Sequence, residues 1–241
     1  MSRTVAVIPA HNEAATIADV VARAARHVDR VLVVDDGSRD DTAAVAEEAG
    51  ARVIRQVPNK GKGTALRVGI EAALADGATA VVTLDADGEH DPDEIPLLLR
   101  GLDHADLVLG VRDTFRSHER RFANAFALWW FQQIDPAIED TICGFRAFRA
   151  SVAPVLDNQA TGFAYEHEVL LNAAQAGVRM ASVPVRIPVS RAGGHVTRTE
   201  MLRVAVHFSS WVLPRLPALS LPLHRKAALA VGCTAGYALC R

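Results

Sequence analysis

Over about the first hundred residues, apolar and polar positions fall into blocks that switch between strand and helix periods. Thr4 to Ile8 is a β-branched apolar run ended by Pro9. Ala14 to His27 repeats apolar residues at helical spacing, and Arg30 to Val34 is a second strand running into Asp35-Asp36-Gly37-Ser38. Thr42 to Ala49 is helical and stops at Gly50, a common residue just past a helix end. Arg52 to Gln56 reads as a short strand, and Thr64 to Ala75 as a helix set between Gly61-Lys62-Gly63 and Gly77. Ala80 to Leu84 is a strand that runs straight into Asp85. Asp91-Pro92-Asp93 then opens a further helix, with an acceptor at the cap and Pro at the first helical position.

Alternating strands and helices with polar, Gly-rich turns after the strands predict a parallel α/β sheet. In such sheets the ligand crevice lies beyond the carboxyl ends of the strands. The polar residues after the first, second and fourth strands are Asn12-Glu13, Asp35-Asp36 and Asp85-Asp87, so all three pairs converge on one crevice. The pattern changes near residue 200. Val204 to Leu223 is apolar but broken by Pro214, Arg215, Pro217 and Pro222, and Ala227 to Cys240 is apolar for only about 14 residues, against roughly 20 for a helical span. We therefore divide the chain into a domain over 1–200 and an apolar helical extension over 201–241. Two readings of the extension stay open. Its helices are core or dimer-interface helices, or they form a surface-lying or re-entrant membrane segment with Trp211, His224, Arg225 and Lys226 near the headgroups.

Composition narrows the class. In 241 residues, half of them hydrophobic, 26 Lys and Arg nearly balance 28 Asp and Glu, which fits a globular protein and not a disordered chain or a broad polyanion binder. No basic stripe with interleaved aromatics is present, so nucleic acid is not an expected partner. Three scattered cysteines without a CxxC pair suit reduced thiols in the cytoplasm. Val5-Ala6-Val7-Ile8 turns at Pro9 and reads as a first strand, not as a signal peptide. Oligomeric state is not legible.

The strongest chemical signal is Asp85-Ala86-Asp87-Gly88-Glu89-His90. Two carboxylates separated by one residue, just past a buried strand, can face the same crevice. Their oxygens suit hard cations such as Mg2+ or Mn2+, which bridge protein to substrate phosphates, and Glu89 offers a third oxygen ligand. Asp36 at its strand end can accept hydrogen bonds from a nucleobase or ribose edge, with Gly37 allowing the tight turn. Asp40 or Asp41 is placed to cap the next helix, and Glu13 is placed for ribose hydroxyls. Asn59-Lys60-Gly61-Lys62-Gly63-Thr64 fails as a P-loop, because Gln56 stands where that pattern needs Gly and Gly63 stands where it needs Ser or Thr. Its lysines, Lys62 above all, remain candidates for donor phosphates or for a solvated loop.

Together these segments resemble glycosyltransferase family 2, inverting enzymes of the GT-A fold, which implies an α/β fold with a mixed, mostly parallel sheet flanked by helices, and within the family the dolichyl- or polyprenyl-phosphate sugar synthases. The resemblance rests on Val-Ile-Pro-Ala-His-Asn-Glu from Val7, Val-Asp-Asp-Gly-Ser from Val34, Asn-Lys-Gly-Lys-Gly from Asn59 and Asp-Ala-Asp-Gly-Glu-His from Asp85. It continues through Gly110-Val111-Arg112, Asp140 to Arg146, and Gly162-Phe163 leading to Glu168-Val169-Leu170-Leu171, and covers about residues 4 to 192. It implies a nucleotide-sugar donor, UDP- or GDP-linked, bound by Pro9, His11, Glu13, Asp35, Asp36, Lys62 and Asp85, with Mg2+ or Mn2+ on Asp85, Asp87 and Glu89. Glu89 departs from a common Gln, and His11 from a frequent Tyr. The resemblance further implies a polyprenyl-phosphate acceptor held by Arg112, Arg120, Arg121 and Arg191 at the inner face of a membrane, with Asp87, Arg112 and Asp140 as the catalytic set. The aromatic stretch Trp129-Trp130-Phe131 is either core or an amphipathic helix meeting the bilayer. If the acceptor were instead a soluble or polysaccharide hydroxyl, a base would be required, and Asp140 is the candidate; it is equally a candidate loop anchor. A sugar nucleotidyltransferase would need a Gly-rich, Arg-containing first turn, which Pro-Ala-His-Asn-Glu is not. A non-catalytic nucleotide-binding scaffold is disfavoured by the intact Asp85 and Asp87.

Overall fold

In the computed structural model the described residues are 3–112, 128, 129, 131–135, 137–158, 164–186, 222 and 224–227. They form a seven-stranded sheet in the order β3-β2-β1-β4-β6-β5-β7. The strands are β1 (Thr4–Ala10), β2 (Arg30–Asp36), β3 (Arg52–Gln56), β4 (Ala80–Thr83), β5 (Leu107–Arg112), β6 (Arg146–Arg149) and β7 (Met180–Val185). β6 alone runs against its neighbours β4 and β5, and the other pairs are parallel. The helices are α1 (Ile17–Ala24), α2 (Thr42–Glu48), α3 (Lys62–Ala75), α4 (Ile95–Gly101), the short α5 (Ala153–Leu156) and α6 (Ala164–Gln175).

The central strands are Val- and Ile-rich because both faces of the sheet are covered. Val5, Val7 and Leu32 pack toward α3 and α6, while the alternate residues Ala6, Ile8 and Val33 pack toward α1 and α4. Helix α3 lies very close over β1. A Cβ on Gly69 would stand 2.4 Å from Val7 Cγ1, so the missing side chain is what lets α3 bring its first residue, Lys62, to the sheet edge.

Register decides what meets at that edge. Ala10 pairs with Asp35 and Asp36 with Gln56, so β1, β2 and β3 end together. Thr83 at the end of β4 pairs with Val7, which brings Asp85 level with the last residues of β1. Because β6 is reversed, its first residue Arg146 pairs with Thr83, and the segment before it returns over the same edge.

Local differences from the sequence expectation have local causes. Helix α1 begins at Ile17 and not at Ala14, since Glu13 O takes the N–H groups of Thr16 and Ile17 in a preceding turn. Helix α3 begins at Lys62 and not at Thr64, because Gly61 (φ 89°) already turns the chain into it. Asp91 accepts Asp93 N–H ahead of Pro92, as expected, but the turn it caps is a single 3-10 turn, Pro92–Glu94, before α4. It is Asp40, not Asp41, that accepts Thr42 N–H at the start of α2. Among the described residues no helix is long and apolar enough to cross a membrane. The extension expected over 201–241 lies outside the described residues apart from Pro222 and 224–227.

Candidate active site

The turn after β2 builds one wall of the crevice. Asp35 Oδ1 accepts Ser38 N–H at 3.1 Å, closing a tight turn in which Gly37 has φ 72° and lies against Asn59. Asp36 is 3% exposed, and its two oxygens accept Lys60 N–H at 2.8 Å and Gly61 N–H at 2.7 Å. It therefore holds the 59–61 loop as well as facing the edge. His11 is exposed beside it, with Nδ1 2.9 Å from Asp36 O and Nε2 3.1 Å from the Asn12 amide nitrogen. Nδ1 also lies 3.1 Å from the Asn59 amide nitrogen, so the ring bridges the turns after β1 and β2 and the 59–61 loop. Pro9 is buried within β1, one residue short of the edge.

The turn after β4 carries the carboxylates. Burial opposes the ionisation of Asp85, but the Lys62 ammonium 2.7 Å from Oδ1 outweighs it and holds Asp85 down at about 2. Burial also works against the charge on Lys62, yet Asp85 and Glu166 hold it firmly protonated. Asp87 behaves in the opposite way. Burial first, then repulsion from Asp85, Glu89 and Glu13, pushes its carboxyl up to about 6, although Oδ1 accepts Glu89 N–H at 2.9 Å. Glu13 is likewise raised by burial and by Asp40 and Asp85, despite a hydrogen bond from Thr16. His90 is buried, stacks on Phe145 with ring centroids 5.2 Å apart, and accepts Asp85 N–H at Nδ1. Burial lowers its basicity, so it serves as a neutral support beneath Asp85.

No group of three or more His, Cys, Asp or Glu side chains among the described residues converges tightly enough to hold a metal ion. Asp85, Asp87 and Glu89 thus do not form the three-ligand cluster expected from the sequence, because Lys62 engages Asp85 and the turn's own backbone engages Asp87. The donor set still fits a Mg2+ or Mn2+ ion of the kind held by one or two carboxylates together with substrate phosphates. All its atoms are oxygens, and the neighbouring negative charges leave Asp87 short of a cation.

On the far side, Arg112 at the end of β5 forms a two-point clamp on Asp140, Nε to Oδ2 at 2.7 Å and Nη2 to Oδ1 at 2.9 Å. Asp140 Oδ1 also accepts Ile142 and Cys143 N–H, and the side chain has 0% exposure. Through these contacts Asp140 anchors the 140–143 loop to the end of β5. Burial and Asp140 push the Cys143 thiol up to about 12, so it is no nucleophile. Arg120, Arg121 and Arg191 lie outside the described residues, as does Trp130. Of the other two aromatics in that stretch, Phe131 is core, stacked on His167, and Trp129 is 45% exposed.

Two groups were not anticipated from the sequence. Glu166, in the first turn of α6, is buried with Oε1 3.2 Å from Lys62 Nζ. Gly144 lies against the Lys62–Asp85 pair, where a Cβ would stand 3.1 Å from Nζ and 3.2 Å from Oδ1. Both come from segments remote in sequence from Lys62 and Asp85; Gly144 lies within the Asp140 to Arg146 motif, but its place against this pair is set by the fold.

Comparison with known proteins agrees with this geometry. The family model described as glycosyl transferase family 2 matches residues 5–170. Polyprenol monophosphomannose synthase of Mycolicibacterium smegmatis is 30% identical over 230 residues, covering 84% of this chain and 86% of the relative. Undecaprenyl-phosphate mannosyltransferase of Micrococcus luteus is 28% identical over 200 residues, covering 76% and 82%. Among solved structures, glucosyl-3-phosphoglycerate synthase from Mycobacterium tuberculosis, crystallised with Mn2+, UDP and glucosyl-3-phosphoglycerate, superposes with a TM-score of 0.70. That match covers 92% of this chain and 81% of the other at 23% identity, and shows the shared GT-A fold. The chain is a glycosyltransferase and belongs to glycosyl transferase family 2, on the side of the polyprenyl-phosphate sugar synthases.

Proposed function

We propose that this protein transfers a hexose from a UDP- or GDP-sugar to a polyprenyl phosphate, with inversion, using Mg2+ or Mn2+ at Asp85 and Asp87. The observation that carries the reading is the carboxylate pair Asp85 and Asp87 on the turn beyond β4, at the carboxyl edge of the sheet. The names of the two relatives support the lipid-phosphate acceptor.

Bound at Asp85 and Asp87, with Glu89 beside them, the ion would supply Lewis-acid neutralisation of the leaving diphosphate. The protein's own groups do the rest. Pro9, His11, Glu13, Asp35 and Asp36 border the nucleoside, and the 59–61 loop is held in place by Asp36. Lys62 brings a positive charge to the diphosphate side. Arg112, fixed by Asp140, places another at the end of β5, and Arg120, Arg121 and Arg191 complete the acceptor-phosphate set. A phosphate monoester is anionic near neutral pH, so its attack on the anomeric carbon needs positioning and no strong base. A hydroxyl acceptor would need a base, and Asp140 has both oxygens taken by Arg112 and the backbone. The protein would then work at the inner face of a membrane, with the 201–241 extension at the lipid surface.

A panel of radiolabelled UDP- and GDP-sugars, offered with Mn2+ or Mg2+ and a polyprenyl phosphate, tests the reading. Label extractable into organic solvent is the expected product. Label confined to water-soluble product, or transfer unchanged by a chelator, would refute the acceptor or the metal respectively.

A further inference from the structure

The cradle around Lys62 holds one feature that donor binding alone does not explain. The ammonium has two carboxylate seats, Asp85 Oδ1 at 2.7 Å and Glu166 Oε1 at 3.2 Å. The first belongs to one of the two carboxylates that would hold a divalent ion. The second belongs to a side chain only 6% exposed, whose other oxygen, Oε2, is buried with no hydrogen-bond partner among the described residues. A buried carboxylate oxygen left unpaired is costly, so a group held in reserve for it has a physical reason to exist. Glu166 is itself held in place. Arg146, buried, donates to Glu166 O at 3.1 Å and to Cys143 O at 2.9 Å, tying the start of α6 to the loop that carries Gly144. Gly144 closes the cradle so tightly that even one added methyl would press on both Nζ and Oδ1.

A divalent ion on the Asp85 carboxylate would repel an ammonium held against the same group. Glu166 is the other carboxylate within reach of Lys62, and can hold it when an ion claims Asp85. We propose that Glu166 is a positioning residue that gives Lys62 a second seat, so that Lys62 occupies Asp85 in the donor-free protein and withdraws onto Glu166 and the donor diphosphate when the divalent ion binds. Lys62 is then an internal competitor that keeps metal affinity low until a nucleotide arrives. The inference rests on the metal reading of Asp85 and Asp87.

The test is Mn2+ binding to the full chain, read from the free-ion electron paramagnetic resonance signal, without nucleotide and with UDP or GDP. Removing both charges, Lys62→Met with Glu166→Gln, keeps the local net charge unchanged and leaves Asp85 without a competing ammonium; donor-free Mn2+ binding is expected to tighten about tenfold, a modest coupling between neighbouring sites. Glu166→Gln alone takes away the second seat, and donor-free binding is expected to weaken about fivefold, with part of the loss recovered when UDP or GDP is present. A merely structural role would move both variants in the same direction. The proposal is overturned if the double variant, folded by circular dichroism, binds Mn2+ no more tightly than wild type. Should it fail to fold, an unchanged or strengthened affinity in Glu166→Gln overturns it instead. If wild type takes up no Mn2+ even with both nucleotides, the metal reading itself has failed; intact wild-type binding lost in Asp87→Asn shows that it holds.

Discussion

Replacing Asp87 by Asn should stabilise the metal-free protein while abolishing transfer. The carboxyl is pushed from its ordinary range near 3.8 up to about 6 by burial and by Asp85, Glu89 and Glu13. A carboxyl whose folded-state pKa is raised favours the protonated form on folding. Its contribution to stability is therefore present below about 4 and is lost as pH rises through about 6. Roughly two pKa units at 1.36 kcal/mol each set a ceiling of about 3 kcal/mol, and solvent screening of a half-buried group brings the expected gain of Asp87→Asn at pH 8 to about 1–2 kcal/mol. Asn keeps the shape and can still accept the Glu89 N–H, so packing should change little. The assay is urea unfolding of wild type and variant, with chelator present, at pH 4.5, 6 and 8. The gain should be about a third of its full size at pH 4.5, most of it present by pH 6, and level above that. Saturating Mn2+ and donor should reverse the order, because ligand stabilises the protein that binds it. A variant less stable than wild type at pH 8, or a difference that does not vary with pH, would refute the electrostatic reasoning.

Other consequences follow from the same geometry. Arg112→Ala leaves Asp140 charged, buried and short of its ion-pair partner, and should cost about 3–5 kcal/mol in urea unfolding; pairing it with Asp140→Asn should recover part of that loss, whereas Arg112→Lys should retain the charge but not the two-point clamp. Gly37→Ala forces a side chain into φ 72° and against Asn59 N at 2.9 Å, so nucleotide affinity should fall about tenfold or more through the displaced 59–61 loop, measured by calorimetry. Transfer should be lost with a chelator and restored by added Mn2+ or Mg2+, checked by label in the organic phase. Because a proton and the ion compete for the Asp87 carboxylate, which titrates at about 6 without metal, Mn2+ affinity should fall as pH drops through that value, and an affinity unchanged from pH 8 to pH 5 would count against a metal-holding role.

Much of the site was legible along the chain, because parallel strands deliver their C-terminal turns to one edge whatever the helices do. The polar turns at Asn12-Glu13, Asp35-Asp36 and Asp85-Asp87 meet there as the alternation of elements requires. The turn chemistry was legible too, in Gly37 with its left-handed φ and in Asp91 capping ahead of Pro92. Such features depend on the steric and hydrogen-bonding preferences of a few adjacent residues, so sequence alone fixes them.

What tertiary structure decided was the partner of each charge. Nothing near Asp140 in sequence says that its carboxylate is spent on Arg112 and not on an acceptor proton. Nothing near Lys62 says that Glu166, on a helix a hundred or so residues later, shares it with Asp85. These pairings arise where the reversed strand β6 and helix α6 fold back over the edge, and burial there makes an unmatched charge too costly to leave. Local pattern tells which residue types reach the crevice. Only the packing of distant segments, through burial and distance, settles which of them remain available for chemistry.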